Sequence, residues 1–191
     1  MVAGEVNPSG HSADTFVYDL TAAPYFNNIG DFAYTNADSV GYTVASQAGG
    51  DAKLVPPHFV NYVEGIYVGY KFYETAAAEG LIDYDKTVVY PFGRGLSYTT
   101  FTQTLNSVTE ADGTITVDVT VTNTGSASGK EVVEVYYNPP YTNGGIEKAS
   151  ANLIGFAKTS ELAPGASENV TVTFKAEDMA SYDTYGKGCY V

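Results

Sequence analysis

The stretch Ile115-Thr116-Val117-Asp118-Val119-Thr120-Val121-Thr122, followed by Asn123-Thr124-Gly125, decides the fold class. Apolar residues alternate strictly with Thr and Asp, and successive side chains of a strand point to opposite faces of its sheet. The Asn-Thr-Gly sequence that follows is a turn signal, because Gly adopts positive φ without strain. The stretch therefore predicts a half-buried β-strand that ends in a turn.

Three more strands are predicted after this one, and turn residues separate them. They span Glu131 to Tyr137, Ala151 to Lys158 and Glu168 to Phe174. The turns lie at Pro139-Pro140, Asn143-Gly144-Gly145 and Pro164-Gly165. Short strands with regular turn signals are typical of a β-sandwich, so we predict a mainly β fold.

The chain before these strands has a different composition. Val17 to His58 is rich in Asn, Asp, Gly and Ala without a sustained period of two or 3.6 residues, which predicts loop structure. The run Glu74-Thr75-Ala76-Ala77-Ala78-Glu79 favours a helix, and Gly80 is a natural residue just past a helix end. We therefore predict that a loop-rich segment with one short helix, ending near Glu79, precedes the sandwich.

Composition and charge exclude several classes of function. The 191 residues are 44% hydrophobic, and nine Lys and Arg against 22 Asp and Glu give a net charge of −13. No basic run opposes that charge, so we expect no nucleic-acid partner. Apolar stretches fall short of the ~20 residues of a membrane span, and residues 1–5 lack signal-peptide features, which favours a cytoplasmic location.

Metal, redox and cofactor chemistry are not expected either. Cys189 cannot form an internal disulfide, and His11 and His58 are too few for a histidine-rich metal site. Asp83 and Asp85 alternate, but the residues after them lack the Gly and the final Glu of a calcium loop. We predict a solvated turn there, with no metal and no cofactor.

Glu64 and the aromatic residues around it are the side chains that most suggest a functional role. Glu64 could act in glycoside hydrolysis only with a second carboxylate roughly 5 to 9.5 Å away, so an interface hydrogen bond or salt bridge is the favoured interpretation. Neighbouring aromatic rings could stack on sugars, but buried packing is favoured because they repeat along one face. These rings are Tyr62, Tyr67, Tyr70, Phe72 and Tyr73.

Several motifs, taken in order along the chain, carry a family resemblance. They are Asn7-Pro8-Ser9-Gly10 with Thr15-Phe16, Glu64 to Tyr73, Tyr90-Pro91-Phe92-Gly93-Arg94-Gly95-Leu96-Ser97-Tyr98, Gly129 to Val133, Leu153 to Phe156 and Leu162-Ala163-Pro164-Gly165. Their identity, order and spacing resemble glycoside hydrolase family 3, the β-glucosidase-like enzymes. The segments from Val119 onward resemble the fibronectin type III-like domain of that family.

The resemblance implies how the chain is organised. Residues 1–97 would be the end of the α/β sandwich domain and a linker, and residues 98–191 a fibronectin type III-like sandwich without its last strand. The family's catalytic aspartate and glutamate both lie outside the matching positions, so no catalytic residue is expected here. The chain would then be a structural part of a retaining enzyme, bracing catalytic domains that act on a carbohydrate.

The resemblance also implies where this part would meet its neighbours. The candidate interdomain interface comprises Glu64, Tyr67, Tyr70, Tyr90, Pro91, Phe92, Gly93, Arg94, Gly95 and Leu96. His11 and Arg94 differ from the residues common in the family, and we predict that Arg94 pairs with an acid across the boundary.

An incomplete sandwich has further consequences. It exposes unpaired backbone groups at a sheet edge, so we predict self-association of the chain. One alternative is a stand-alone carbohydrate-binding or interaction module that uses Tyr62, Tyr67 and Tyr70 as a platform. Another is a complete small hydrolase centred on Glu64.

Overall fold

The computed structural model describes residues 2–28, 30, 32–36, 39, 42–44, 53–55 and 57–191. Most of its regular structure is β-strand, which confirms the mainly β prediction. Part of the predicted loop, Val17 to His58, lies outside the described residues. The rest of that segment contains 3₁₀ turns at Leu20–Ala22 and Phe26–Asn28. It also contains a hairpin of β2 (Tyr42–Val44) and β3 (Lys53–Val55), which the sequence did not predict.

The predicted helix is present and ends as expected. Helix α1 spans Tyr70–Ala78 with Glu79 as its C-terminal cap, and Gly80 follows with φ of 71°. Its buried residues are Tyr73 and Ala76.

A second, shorter helix corrects the predicted turn at the two aspartates. Helix α2 spans Tyr84–Thr87 and begins after Asp83, whose carboxylate pairs with Lys86 at 2.7 Å. Strand β4 (Val88–Tyr90) follows and pairs with β1 (Phe16–Val17) in a small antiparallel sheet. This sheet holds the N-terminal strand beside the residues that lead into the sandwich.

The sandwich itself has a three-stranded and a two-stranded sheet. The strands are β5 (Phe101–Ala111), β6 (Thr114–Asn123), β7 (Val132–Tyr137), β8 (Asn152–Lys158) and β9 (Ser167–Lys175). One sheet has the antiparallel order β5-β6-β9, and in the other β7 pairs with β8. The four strands predicted from the sequence, β6 to β9, are all confirmed.

Strand β5 is the longest, and the sequence analysis missed it. Its side chains are mostly polar and exposed, so no buried face produces an apolar alternation. The turn Asp112-Gly113, with φ of 49° and 72°, joins it directly to β6. Asp-Gly between two strands is a strong hairpin signal, and that dipeptide could have revealed β5.

The core of the sandwich lies between the two sheets. Its buried residues are Val117, Val119, Val121, Val133, Leu162, Val170 and Val172. Burying each such aliphatic side chain stabilises the fold by about 1.5–3 kcal/mol. The inner face of β6 therefore anchors the sandwich, as the alternation over Ile115 to Thr122 predicts.

Across the described ranges, no helix combines the length and apolar character needed to cross a bilayer.

Candidate interdomain interface

Asn7 connects the N-terminal segment to the sandwich and to the linker, residues 90–98, that leads into it. Its side-chain Nδ2 donates to the Ser128 carbonyl at 2.8 Å, and its Oδ1 accepts from Tyr98 N at 2.8 Å and Ser97 Oγ at 3.1 Å. Lys158 Nζ at the end of β8 donates to the Ser9 carbonyl at 2.5 Å. The Asn-Pro-Ser-Gly turn is therefore held against the start of the sandwich.

His11 and Ser12 extend this attachment along the linker. His11 Nδ1 donates to the Gly93 carbonyl at 2.6 Å, and a β-bridge pairs His11 with Gly95. Ser12 N donates to Arg94 O and Gly93 N to Ser12 O, both at 2.8 Å. The unusual His11 is thus part of the contact between the N-terminal segment and the linker.

Gly93 is required where the linker meets β7. Its φ of 76° lies in the left-handed region, which favours Gly. A Cβ on this residue would also lie 3.1 Å from the Glu134 carboxyl carbon. The backbone conformation therefore selects Gly at this position, whereas the Glu134 carboxylate is the end of a flexible side chain and could move aside.

Tyr70, the first residue of α1, contacts both the linker and the β7-β8 sheet. Its ring centroid is 4.6 Å from that of Phe92 and 5.9 Å from that of Tyr136 on β7. Its hydroxyl accepts a hydrogen bond from Leu153 N on β8 at 2.9 Å. Tyr70 is thus the most connected of the predicted interface residues.

The remaining linker residues differ in their surroundings. The Arg94 guanidinium lies 4.8 Å from the Tyr90 ring centroid and so meets an aromatic face. Its pairing with an acid across the domain boundary stays a prediction. Tyr90 also contacts Phe16 edge-on at 6.3 Å. Pro91 accepts a hydrogen bond from Arg94 N, whereas the Leu96 side chain is 71% exposed.

Glu64 and Tyr67 lie at a separate position, beside the loop that joins β7 to β8. Asn28 Nδ2 donates to Glu64 Oε2 at 2.5 Å. Both residues precede the predicted domain boundary, so the interface hydrogen bond or salt bridge favoured for Glu64 stays a prediction. The Tyr67 hydroxyl donates to Glu147 in that loop. Burial, and then the bond to Glu147, raise the pKa of Tyr67 to about 12, so the phenol stays a donor at neutral pH.

The proposed tyrosine platform is not formed. Tyr62 is 76% exposed, Tyr67 is bonded to Glu147, and Tyr70 packs between Phe92 and Tyr136. These rings therefore serve separate contacts and share no face on which a sugar could stack. In the part of the chain that the structure describes, there is also no group of three or more His, Cys, Asp or Glu that could hold a metal ion.

The sequence analysis missed the partners of the interface residues. Glu134 and Tyr136 were assigned to a strand, and their alternate positions place both on the face opposite the buried Val133. The available signal was the presence of a charged and an aromatic residue on the outer face of this predicted strand, which could have indicated a contact surface. Asn7 was noted only as part of the motif Asn7-Pro8-Ser9-Gly10.

Comparison with known proteins supports both the fibronectin type III-like class of the sandwich and the resemblance to β-glucosidases. Residues 131–191 match the model of the fibronectin type III-like domain. The chain is 36% identical to β-glucosidase A of Butyrivibrio fibrisolvens over 98% of its own length and 21% of that protein. The resemblance to the β-glucosidase-like enzymes of glycoside hydrolase family 3 is thereby confirmed, and the chain corresponds to a non-catalytic part of them.

Solved structures agree with this assignment. A β-glucosidase from Paenibacillus barengoltzii aligns over the whole chain and 18% of its own, with a TM-score of 0.75 and 35% identity. A family 3 β-glucosidase from Bifidobacterium adolescentis aligns over the whole chain and 23% of its own, with a TM-score of 0.71 and 28% identity. The chain thus spans about a fifth of the length of these relatives. The predicted domain boundary between residues 97 and 98 stays a prediction.

Proposed function

We propose that this chain braces the catalytic domains of a retaining β-glycosidase that hydrolyses O-glycosidic bonds, with both catalytic carboxylates outside the chain. The observation that carries the proposal is a concentration of exposed large apolar side chains before the sandwich. They include Phe16, Tyr18, Leu20, Tyr25, Phe26, Phe32, Tyr34, Phe59, Tyr62 and Val63. Such exposure is typical of a surface that another protein part covers.

This apolar surface has internal order and a fixed relation to the sandwich. Phe59 contacts Phe32 at 5.8 Å and Tyr34 at 5.2 Å between ring centroids. The contacts of Asn7 and Tyr70 hold the same segment against the linker and the second sheet. A domain that docks on the apolar surface would therefore be positioned relative to the sandwich.

A chimera tests the bracing role. We expect that the B. fibrisolvens β-glucosidase A keeps its activity and melting temperature when this chain replaces its matching fifth. Tyr18→Asp together with Tyr62→Asp should lower both, because charges would enter the covered surface. Tyr185→Asp is the control, since that ring is 95% exposed in the C-terminal segment.

Two results would contradict the proposal. One is hydrolysis of a chromogenic β-glucoside by the 191-residue chain alone, which would place catalytic groups within it. The other is an equal loss of activity in the double variant and in the control.

A second proposal concerns the open side of the sandwich. The register places Leu105 opposite Val119 and Val108 opposite Val117, and directly opposed residues of antiparallel strands share a face. Leu105 and Val108 therefore lie on the core face of β5, yet they are 61% and 58% exposed, whereas the two valines are each 6% exposed. The core is uncovered along β5.

An unpaired edge lies beside this uncovered face. Among the described strands β7 pairs only with β8, so its other edge carries free backbone groups. Gln103 of β5 reaches across and donates to the Val132 carbonyl of β7 at 3.1 Å. The free edge of β7 and the core face of β5 thus form a slot for a strand with apolar residues at alternate positions.

We expect that a second copy occupies this slot in solutions of the 191-residue chain. Sedimentation and light scattering should then give a mass above that of the monomer. Leu105→Lys with Val108→Lys should shift the chain to monomer, because a charge on the core face opposes strand addition. Thr104→Lys with Thr109→Lys adds the same charges on the opposite face of β5 and should leave the mass unchanged. A strictly monomeric chain with a sharp two-state melt would refute the expectation.

A further inference from the structure

A groove of about 860 Å³ lies between the segment 63–81 and the loop that joins β7 to β8. Its two walls are attached to each other: Tyr67 donates to Glu147, and Ser150 N donates to Thr75 Oγ1 at 2.9 Å. The volume lies within the range of small-molecule sites, which is about 300–1,000 Å³. The groove is therefore large enough for a ligand, and hydrogen bonds hold its shape.

The lining combines aromatic rings with a few polar groups. Tyr67 and Phe72 contribute rings from one wall, and Tyr141, which is 41% exposed, contributes a ring from the other. Two carboxylates, Glu64 and Glu79, lie on the first wall. Small-molecule sites typically have this composition, in which apolar surface gives affinity and a few polar groups fix orientation.

The polar groups are suited to neutral hydroxyls. Carboxylates accept hydrogen bonds from O–H groups, and the amides of Asn138 and Asn143 can both donate and accept. Asn28 already fixes Glu64 Oε2, so that carboxylate is held in position. Two carboxylates against the single amine of Lys148, in a chain of net charge −13, disfavour an anionic ligand.

We propose that this groove binds a neutral sugar, with aromatic rings against its C–H faces and Glu64 and Glu79 accepting from its hydroxyls. This site goes beyond the bracing role, which requires no ligand in the groove. It also differs from the predicted platform of Tyr62, Tyr67 and Tyr70, because only Tyr67 of those three residues lines the groove.

Titration of the 191-residue chain with cellobiose, followed by amide chemical shifts, tests the proposal. We expect saturable shifts in the segment 63–81 and the loop 138–150. Tyr141→Ala should weaken binding at least tenfold, and Glu64→Gln should weaken it several-fold while it keeps the side-chain shape. Tyr185→Ala should bind like the unchanged chain, and circular dichroism establishes that each variant is folded.

Glucose 6-phosphate is the charged comparison in the same titration. Weaker binding of this anion than of cellobiose supports the proposal, because the lining is acidic. Three results would overturn it: no saturable shift with cellobiose, equal effects of Tyr141→Ala and Tyr185→Ala, or tighter binding of the anion. The bracing role would be untouched by any of them, since the chimera tests Tyr18 and Tyr62, neither of which lines the groove.

Discussion

Asn123→Ala is expected to lower the free energy of unfolding of the sandwich by about 3–5 kcal/mol, a large fraction of the roughly 5–15 kcal/mol of an ordinary domain. The Asn123 side chain is fully buried. Its Nδ2 donates to the Ala127 and Leu162 carbonyls, both at 2.8 Å. Its Oδ1 accepts from Thr99 Oγ1 at 2.7 Å and from Gly125 N at 3.1 Å.

The size of the effect follows from the partners left behind. Alanine would remove the hydrogen-bond partner of Thr99 Oγ1 and of the Ala127 carbonyl, and each buried group left unsatisfied costs about 1–3 kcal/mol. Gly125 N and the Leu162 carbonyl keep their backbone bonds to Thr100 O and Gly129 N. The four bonds also connect the start of β5, the end of β6 and the turn before β9. Their loss would weaken the sandwich at the end where the linker enters.

Urea unfolding followed by circular dichroism measures this effect. Asn106→Ala is the matched control, because Asn106 is exposed and donates only one of the recorded bonds, to Thr120 Oγ1. We expect the control to change the free energy of unfolding by less than about 1 kcal/mol. Similar losses of unfolding free energy in the two variants would contradict this expectation, because burial of Asn123 would then add no stability beyond that of an exposed hydrogen bond.

The two strands of the β5-β6 hairpin show how much of the fold could be predicted from the sequence. β6 was predictable because its core face is fully covered, so every second residue is apolar. β5 was missed because its core face is open and its side chains are mostly polar and exposed, so no apolar alternation marks the strand. Helix α1 was predictable at its C-terminus, where Gly80 has positive φ, and less so at Gly69, where no side chain caps the helix.

The candidate interface was located by its motif, but its contacts were not predictable. The residues Tyr90 to Leu96 carry the family resemblance, whereas their contacts come from segments distant in the chain, such as His11 and Glu134. Arg94 illustrates the difficulty, since its charge suggests an acidic partner and does not reveal that the guanidinium lies over the Tyr90 ring. Spacing along the sequence holds no information on such tertiary neighbours.

Tyr70→Ala is expected to lower the free energy of unfolding by about 3–5 kcal/mol, the usual cost of truncating a packed aromatic residue. The variant would lose the ring contacts with Phe92 and Tyr136 and leave Leu153 N without its acceptor. It would also separate α1 from the second sheet. Amide hydrogen exchange should therefore rise in α1, in residues 90–98 and in β7 and β8 together.

Tyr70→Phe separates the two contributions, because it keeps the ring and removes only the hydroxyl. We expect it to cost about 1–2 kcal/mol, the price of one unsatisfied backbone donor. Tyr62→Ala removes an equally large but exposed ring and should change stability by no more than about 0.5 kcal/mol. If Tyr70→Ala raised exchange in α1 and left β7 and β8 unchanged, α1 and the sandwich would unfold independently. Bracing requires the opposite, since a segment that can detach from the sandwich cannot transmit its position to a docked domain.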